Sequence, residues 1–214
     1  MKRLLAGLMI VAMGQSAWAL DTADQQRLVG IQQSWAHIQY ELPEKQREAA
    51  FEQLATQATT FTHERPELAE AWIWSGIVTS SWAGAQGGLG ALGKVKEART
   101  DLEKALALDP KALQGSAYTS LAALYDRVPG WPIGFGDADK AEQLLKQALQ
   151  LNPDGIDSLY FWGDHLYRQK RYAQAQGALQ KALNAAPRPG RELADAGRRK
   201  EIQALLLEVN KKLN

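Results

Sequence analysis

Three stretches of this chain repeat one spaced pattern: Ala98, Leu102, Ala105 and Pro110; Ala141, Leu145, Ala148 and Pro153; and Ala175, Leu179, Ala182 and Pro187. The last two sets stand 34 residues apart at every position. Spacings of four and three put both alanines and the leucine on one helical face, where small side chains let a neighbouring helix come close. The proline five residues further on stops the helix. This period constrains the fold more than composition does, because one such unit cannot bury its apolar face alone and must stack on the next.

Each of these helices has a partner upstream. Leu159-x-x-Trp162-Gly163-x-x-Leu166 precedes the third set, Tyr118-x-x-Leu121-Ala122-x-x-Tyr125 the second, and Trp72-x-x-Ser75-Gly76-x-x-Thr79 the first. Large residues pack across such a pair, and the glycine or alanine sits where the two helices meet. In these residues the chain resembles the tetratricopeptide repeat family, a 34-residue helix–turn–helix unit. The resemblance implies an all-α, right-handed solenoid of about four helix pairs, with repeats at about 20–66, 67–110, 111–153 and 154–187. The first repeat is degenerate: Leu54, Ala58 and Phe61 stand where small-large-small is expected. Residues 188–214 carry Ile202, Leu205, Leu206, Val209 and Leu213 at helical spacing, and are expected to cap the last repeat.

The chain departs from the repeat twice. Ten extra residues lie between Thr79 and Ala98, and seven between Tyr125 and Ala141. Insertions at equivalent turns project from one edge, so segments 80–95 and 127–137 are expected to be neighbours. Trp82 in the first, and Trp131, Pro132 and Phe135 in the second, are the candidates for an apolar binding edge; the competing expectation is that the two insertions pack on each other. The family resemblance also implies a concave face lined by the first helix of each pair. Its expected contributors include Trp74, Asp157, Tyr160, Phe161 and Tyr167, with Arg127 and Arg168 at one margin. The lysine and asparagine pattern by which chaperone-binding members hold a carboxylate is missing there. The reading is a groove for an extended peptide of apolar and acidic character.

The chain of 214 residues has no cysteine and three scattered histidines, which excludes thiolate metal sites, disulfides and a cysteine nucleophile and argues against a histidine-rich metal centre. Met1-Lys2-Arg3, the apolar run Leu4 to Met13 and Ala17-Trp18-Ala19 have the form of a secretory leader, so residues 1–19 are expected to be a cleaved signal peptide and the mature chain to be periplasmic, with no stable membrane anchor. From Leu20 to Tyr167 there are 12 basic and 20 acidic residues; from Arg168 onward there are 11 and 4. That near-neutral sum with opposite halves argues against nucleic-acid binding and leaves room for self-association. Gly88-x-Gly90-x-x-Gly93 has dinucleotide-binding spacing, but a helix and not a strand precedes it, so no cofactor is expected. His165 adjoins Asp164, yet neighbours on a helix diverge by about 100 degrees and do not form a dyad. The expectation is a non-catalytic adaptor, scaffold or assembly factor for an envelope protein, similar to exported Gram-negative members of the family. Its alternatives are a small-ligand component, from a looser similarity to the repeat subunit associated with tripartite periplasmic transporters, and a self-assembling structural protein.

Overall fold

A computed structural model describes residues 20–214; the expected leader, 1–19, lies outside the described residues. Among the described residues there are nine α-helices and no strand: α1 (Thr22–Tyr40), α2 (Glu44–Glu64), α3 (Ala69–Gln86), α4 (Ala91–Leu108), α5 (Ser116–Arg127), α6 (Ala138–Leu151), α7 (Ile156–Arg168), α8 (Tyr172–Leu183) and α9 (Glu192–Leu213). A short 3₁₀ turn, Ala112–Gly115, leads into α5. Helices pair as α1–α2, α3–α4, α5–α6 and α7–α8, and successive pairs stack through α2–α3, α4–α5 and α6–α7. The first helices of the pairs also touch one another in series, so they form the inner layer.

The repeated side chains are the spine of this stack. Ala98, Leu102, Ala105, Ala141, Leu145, Ala148, Ala175, Leu179 and Ala182 are all buried. Gly76 and Gly163 explain the small residue in each partner helix: a Cβ on either would stand 2.6 Å from the Cγ of Leu102 or Leu179. The prolines follow the helix ends as expected. Pro110 comes after Asp109, whose N–H closes on the Ala105 carbonyl at 2.9 Å, and Pro153 after Asn152, whose N–H closes on Ala148 at 2.8 Å. Apolar burial divides into two cores, one running from α1 to α6 with Ala194 of α9, the other joining α7, α8 and α9; Phe161 and Trp162 pack against both.

Two elements differ from the expectation. The glycine-rich segment 80–95 is mostly helix: α3 continues to Gln86 and α4 starts at Ala91, so the ten extra residues lengthen a hairpin instead of forming a loop. The apolar and small residues Trp82 and Ala83 keep α3 packed to that length, and the chain reverses at Gly87 and Gly88, both at positive φ. The second difference concerns α9. Its C-terminal half covers α8 through Ile202 and Val209, as a cap should. Its N-terminal half runs back across the inner layer and reaches α7 and α1. Gly197 permits this, since a Cβ there would collide with the ring of Tyr40.

Candidate functional site

The inner layer was expected to present an aromatic groove, and the residues are there, but the chain itself fills it. Trp74 of α3 and Tyr160 of α7 are buried. The guanidinium of Arg198, only 8% exposed, lies 4.4 Å from the Tyr160 ring centre and 4.9 Å from that of Phe161. Arg191 stands 5.1 Å over Trp74. Asp157, at the start of α7, joins Arg198 to a third arginine: Arg198 Nε donates to one carboxylate oxygen at 2.8 Å and Arg188 Nη1 to the other at 2.7 Å. Burial opposes the charge on Asp157, but Arg198 and Arg188 outweigh it and hold its pKa well below the usual carboxylate range. Arg188 also donates through its backbone N–H and its Nε to the buried carboxylate of Asp195, at 2.9 and 2.8 Å. The chain's own arginine segment thus occupies the groove expected to receive a peptide, with the Asp157 carboxylate as its anionic partner.

The residues expected at the groove margin are engaged as well. Arg127 Nη2 donates to Asp164 at 2.7 Å and Arg168 Nε to the same oxygen at 3.3 Å. Arg127 also lies 5.2 Å over Phe161. Tyr167 is partly buried, 5.7 Å ring to ring from Tyr172. Asp164 thus faces arginines, while His165 turns the other way, as divergence along a helix requires. Buried His165 has Nδ1 3.1 Å from Asp126 of α5 and Nε2 3.5 Å from Glu142 of α6, with its ring stacked 5.7 Å from Trp162. Burial disfavours the imidazolium, but the hydrogen bond and charge of Asp126, followed by those of Glu142, prevail and raise its pKa. This arrangement ties three helices together and leaves neither imidazole nitrogen free to act as a base.

The residues of the expected edge differ in exposure and in what they touch. Trp82 packs on the α1–α6 core and carries the Lys94 ammonium 4.0 Å above its ring. It borders a shallow depression with Thr59, His63, Thr79 and Glu97. Phe135 packs edge-on to Tyr125 at 5.3 Å and lies under the Arg99 guanidinium at 4.5 Å, so segment 127–137 rests on α4 and α5. Trp131, by contrast, is 90% exposed, beside the exposed Pro132 and Ile133. The loop that presents them is tightly wound: Gly134 N–H donates to Gly130 O at 3.1 Å, Gly136 N–H to Pro129 O at 2.9 Å and Asp137 N–H to Tyr125 O at 2.9 Å. Side chains at Gly134 and Gly136 would strike the carbonyls of Pro129 and Val128.

Sequence reasoning placed Asp157 on the inner layer but missed its arginine partners. A signal was present. Apolar spacing in 188–214 is strong only from Ile202 onward, whereas the preceding stretch has Ala194 and Gly197 three apart, flanked by Arg188, Arg191 and Arg198. Small residues at that spacing mark close helix approach, and a capping helix for α8 alone has no use for them.

Sequence profiles of the tetratricopeptide repeat match residues 133–199 and 89–112. No curated protein matches the chain. Similar solved structures include a thermophilic tetratricopeptide-repeat protein of Thermus thermophilus, at 19% identity, covering 86% of this chain and 98% of that one, with a TM-score of 0.46. The MamA RS-1 ArsTM double mutant is similar at 14% identity, 92% and 99% coverage and a TM-score of 0.45. PilF of Pseudomonas aeruginosa follows at 15%, 90% and 92%, with a TM-score of 0.35. The described residues are all-α, and two stretches of the chain match the tetratricopeptide repeat, a unit that generally serves as a non-catalytic module for contact between proteins.

Proposed function

We propose that this chain is an exported, periplasmic adaptor or assembly factor, without catalytic activity of its own, that holds an envelope protein through the apolar tip of the 127–137 loop. The observation that carries this reading is the exposure of Trp131 and Ile133, 90% and 58%, on a loop held by backbone hydrogen bonds from Gly134 to Gly130, Gly136 to Pro129 and Asp137 to Tyr125. An ordered loop backbone limits the conformational freedom lost when a partner covers the tryptophan, and a large exposed aromatic side chain has the character of an interface anchor. Phe135 belongs to the support beneath the tip, on Tyr125 and Arg99. The leader-like pattern in residues 1–19 supports export.

The test is affinity capture of the tagged mature chain from envelope extracts beside the Trp131→Ala/Ile133→Ala variant, followed by direct titration of the purified captured protein. One protein held by the parent chain and at least tenfold more weakly by the variant supports the reading. Equal binding by both removes the loop from it. Fractionation of cells making the full chain tests export, and a mature chain that stays in the cytoplasm overturns that part.

A further inference from the structure

The segment lying in the concave groove has a pattern of its own. Arg188, Arg191, Ala194 and Gly197 follow one another at intervals of three, with Arg198 adjacent. The small residues let the segment sink in, Ala194 into the α1–α6 core and Gly197 against Tyr40. The arginines meet what the groove offers, namely the Asp157 carboxylate and the faces of Trp74, Tyr160 and Phe161. Cation–aromatic contacts of this kind are individually modest, and an ion pair under partial cover returns little beyond its desolvation cost. The far half of α9 is held differently, by Ile202 and Val209 buried on the α8 side. One helix is thus anchored by apolar packing at its far end, and at its near end by the arginine contacts together with Leu193 and Ala194 on the α1–α6 core.

The near end is also imperfectly seated. Arg191 Nε and Trp74 Nε1 are both buried and have no hydrogen-bond partner, although the guanidinium lies over that indole. A buried donor without an acceptor has given up its hydration and gained nothing in return. A segment that kept the arginines but brought a carbonyl or carboxylate to this level would bind the groove better than the chain's own residues do.

We propose that residues 187–198 are a built-in competitor, and that the concave groove receives in exchange for them a partner's helical segment bearing arginines on one face and an acceptor near Trp74. This goes beyond the loop-tip reading, since it concerns another surface. The groove selects by guanidinium charge, the loop tip by apolar contact.

The probe is a fluorescein-labelled peptide of residues 187–205, followed by anisotropy at low salt. Because the chain lacks cysteine, Tyr40→Cys with Gly197→Cys creates an isolated pair. The overlap of a Gly197 Cβ with the Tyr40 ring puts the two positions within the span of a disulfide. The oxidised pair is expected to abolish peptide binding and reduction to restore it. Arg188→Ala/Arg198→Ala, which weakens the resident segment, is expected to bind the peptide at least tenfold more tightly than the parent chain, and adding Asp157→Asn is expected to reverse that gain. Equal binding to the locked and reduced pair overturns the proposal, as does a folded double-alanine variant that ignores the peptide. Dimers of the released variants, seen by light scattering, also overturn it, because a second copy's segment then fills the groove. Should the double-alanine variant fail to fold, the cysteine pair decides alone. Loss of capture in the Trp131 variant leaves these readouts unchanged, which keeps the two proposals separable.

Discussion

The concave groove and the 127–137 loop are both rich in aromatic side chains, yet they stand in opposite states. In the groove, Trp74, Tyr160 and Phe161 each face an arginine from the same chain. On the loop, Phe135 is spoken for by Tyr125 and Arg99, and Trp131 faces solvent. Side-chain chemistry alone says what a surface can hold. Whether it is already holding something depends on where a distant segment comes to rest, and here the basic C-terminal region answers the acidic body from within.

Arg198→Ala breaks the groove half of this contrast most severely. It leaves Asp157 with Arg188 alone and opens space against Tyr160 and Phe161, which is expected to cost about 3 kcal/mol of unfolding free energy. Arg198→Met, which keeps most of the volume, is expected to lose about half as much. Urea titrations of the three chains check the order; alanine and methionine variants within about 0.5 kcal/mol of the parent would show that the cluster is ornamental to stability.

Phe135→Ala tests the loop's support. The ring is half-buried, so the cost is expected near 2 kcal/mol, below the about 3–5 kcal/mol of a fully buried phenylalanine. A loss under 0.5 kcal/mol, read from the same titrations, would mean that the loop does not depend on this contact and that Trp131 stands on a softer base than the geometry shows.

How much of this was readable beforehand follows from the range of each interaction. The spine Ala98, Leu102, Ala105 and its two copies was legible because periodicity is local and every unit repeats it. Helix α3 past Thr79 was not, since glycines at 84, 87, 88 and 90 read as loop while Trp82, packed on the α1–α6 core, and buried Ala83 hold it helical. The arginine-filled groove was missed for the same reason. Asp157 and Arg198 are 41 residues apart, and no short-range pattern couples them.

Two acids, Asp157 half-buried and Asp101 buried, sharpen what partnership means in this fold. Asp157 has arginines, and its pKa lies below the ordinary 3.8; its contribution to stability is present above that value and lost as pH falls through the folded one. Asp101 is buried between α3 and α4 with Ser75 Oγ donating at 2.7 Å, and burial pushes it up to about 6, with the Ser75 bond opposing and Glu97 adding to the rise. Its folded form binds the proton more tightly, so stability from this site is greatest below about pH 4 and declines as pH rises towards 6. Asp101→Asn keeps the volume and removes the charge. It is expected to raise stability by about 1 kcal/mol at pH 7.5 and to change it little at pH 4. A gain of equal size at both pH values would assign the effect to packing instead.

Trp131→Ala is expected to have the smallest effect on the fold and for that reason the most informative one. A side chain 90% exposed has almost no contacts to lose, so unfolding free energy should stay within about 0.5 kcal/mol of the parent and far-ultraviolet circular dichroism should not change. Circular dichroism and urea titration measure both. A cost above about 1 kcal/mol would mean that the indole supports its own loop, and the surface would then resemble the groove, with its aromatic group already employed. Neutrality joined to weaker partner binding would place the residue's value entirely outside the chain, since neither the helices nor the loop beneath would then depend on it.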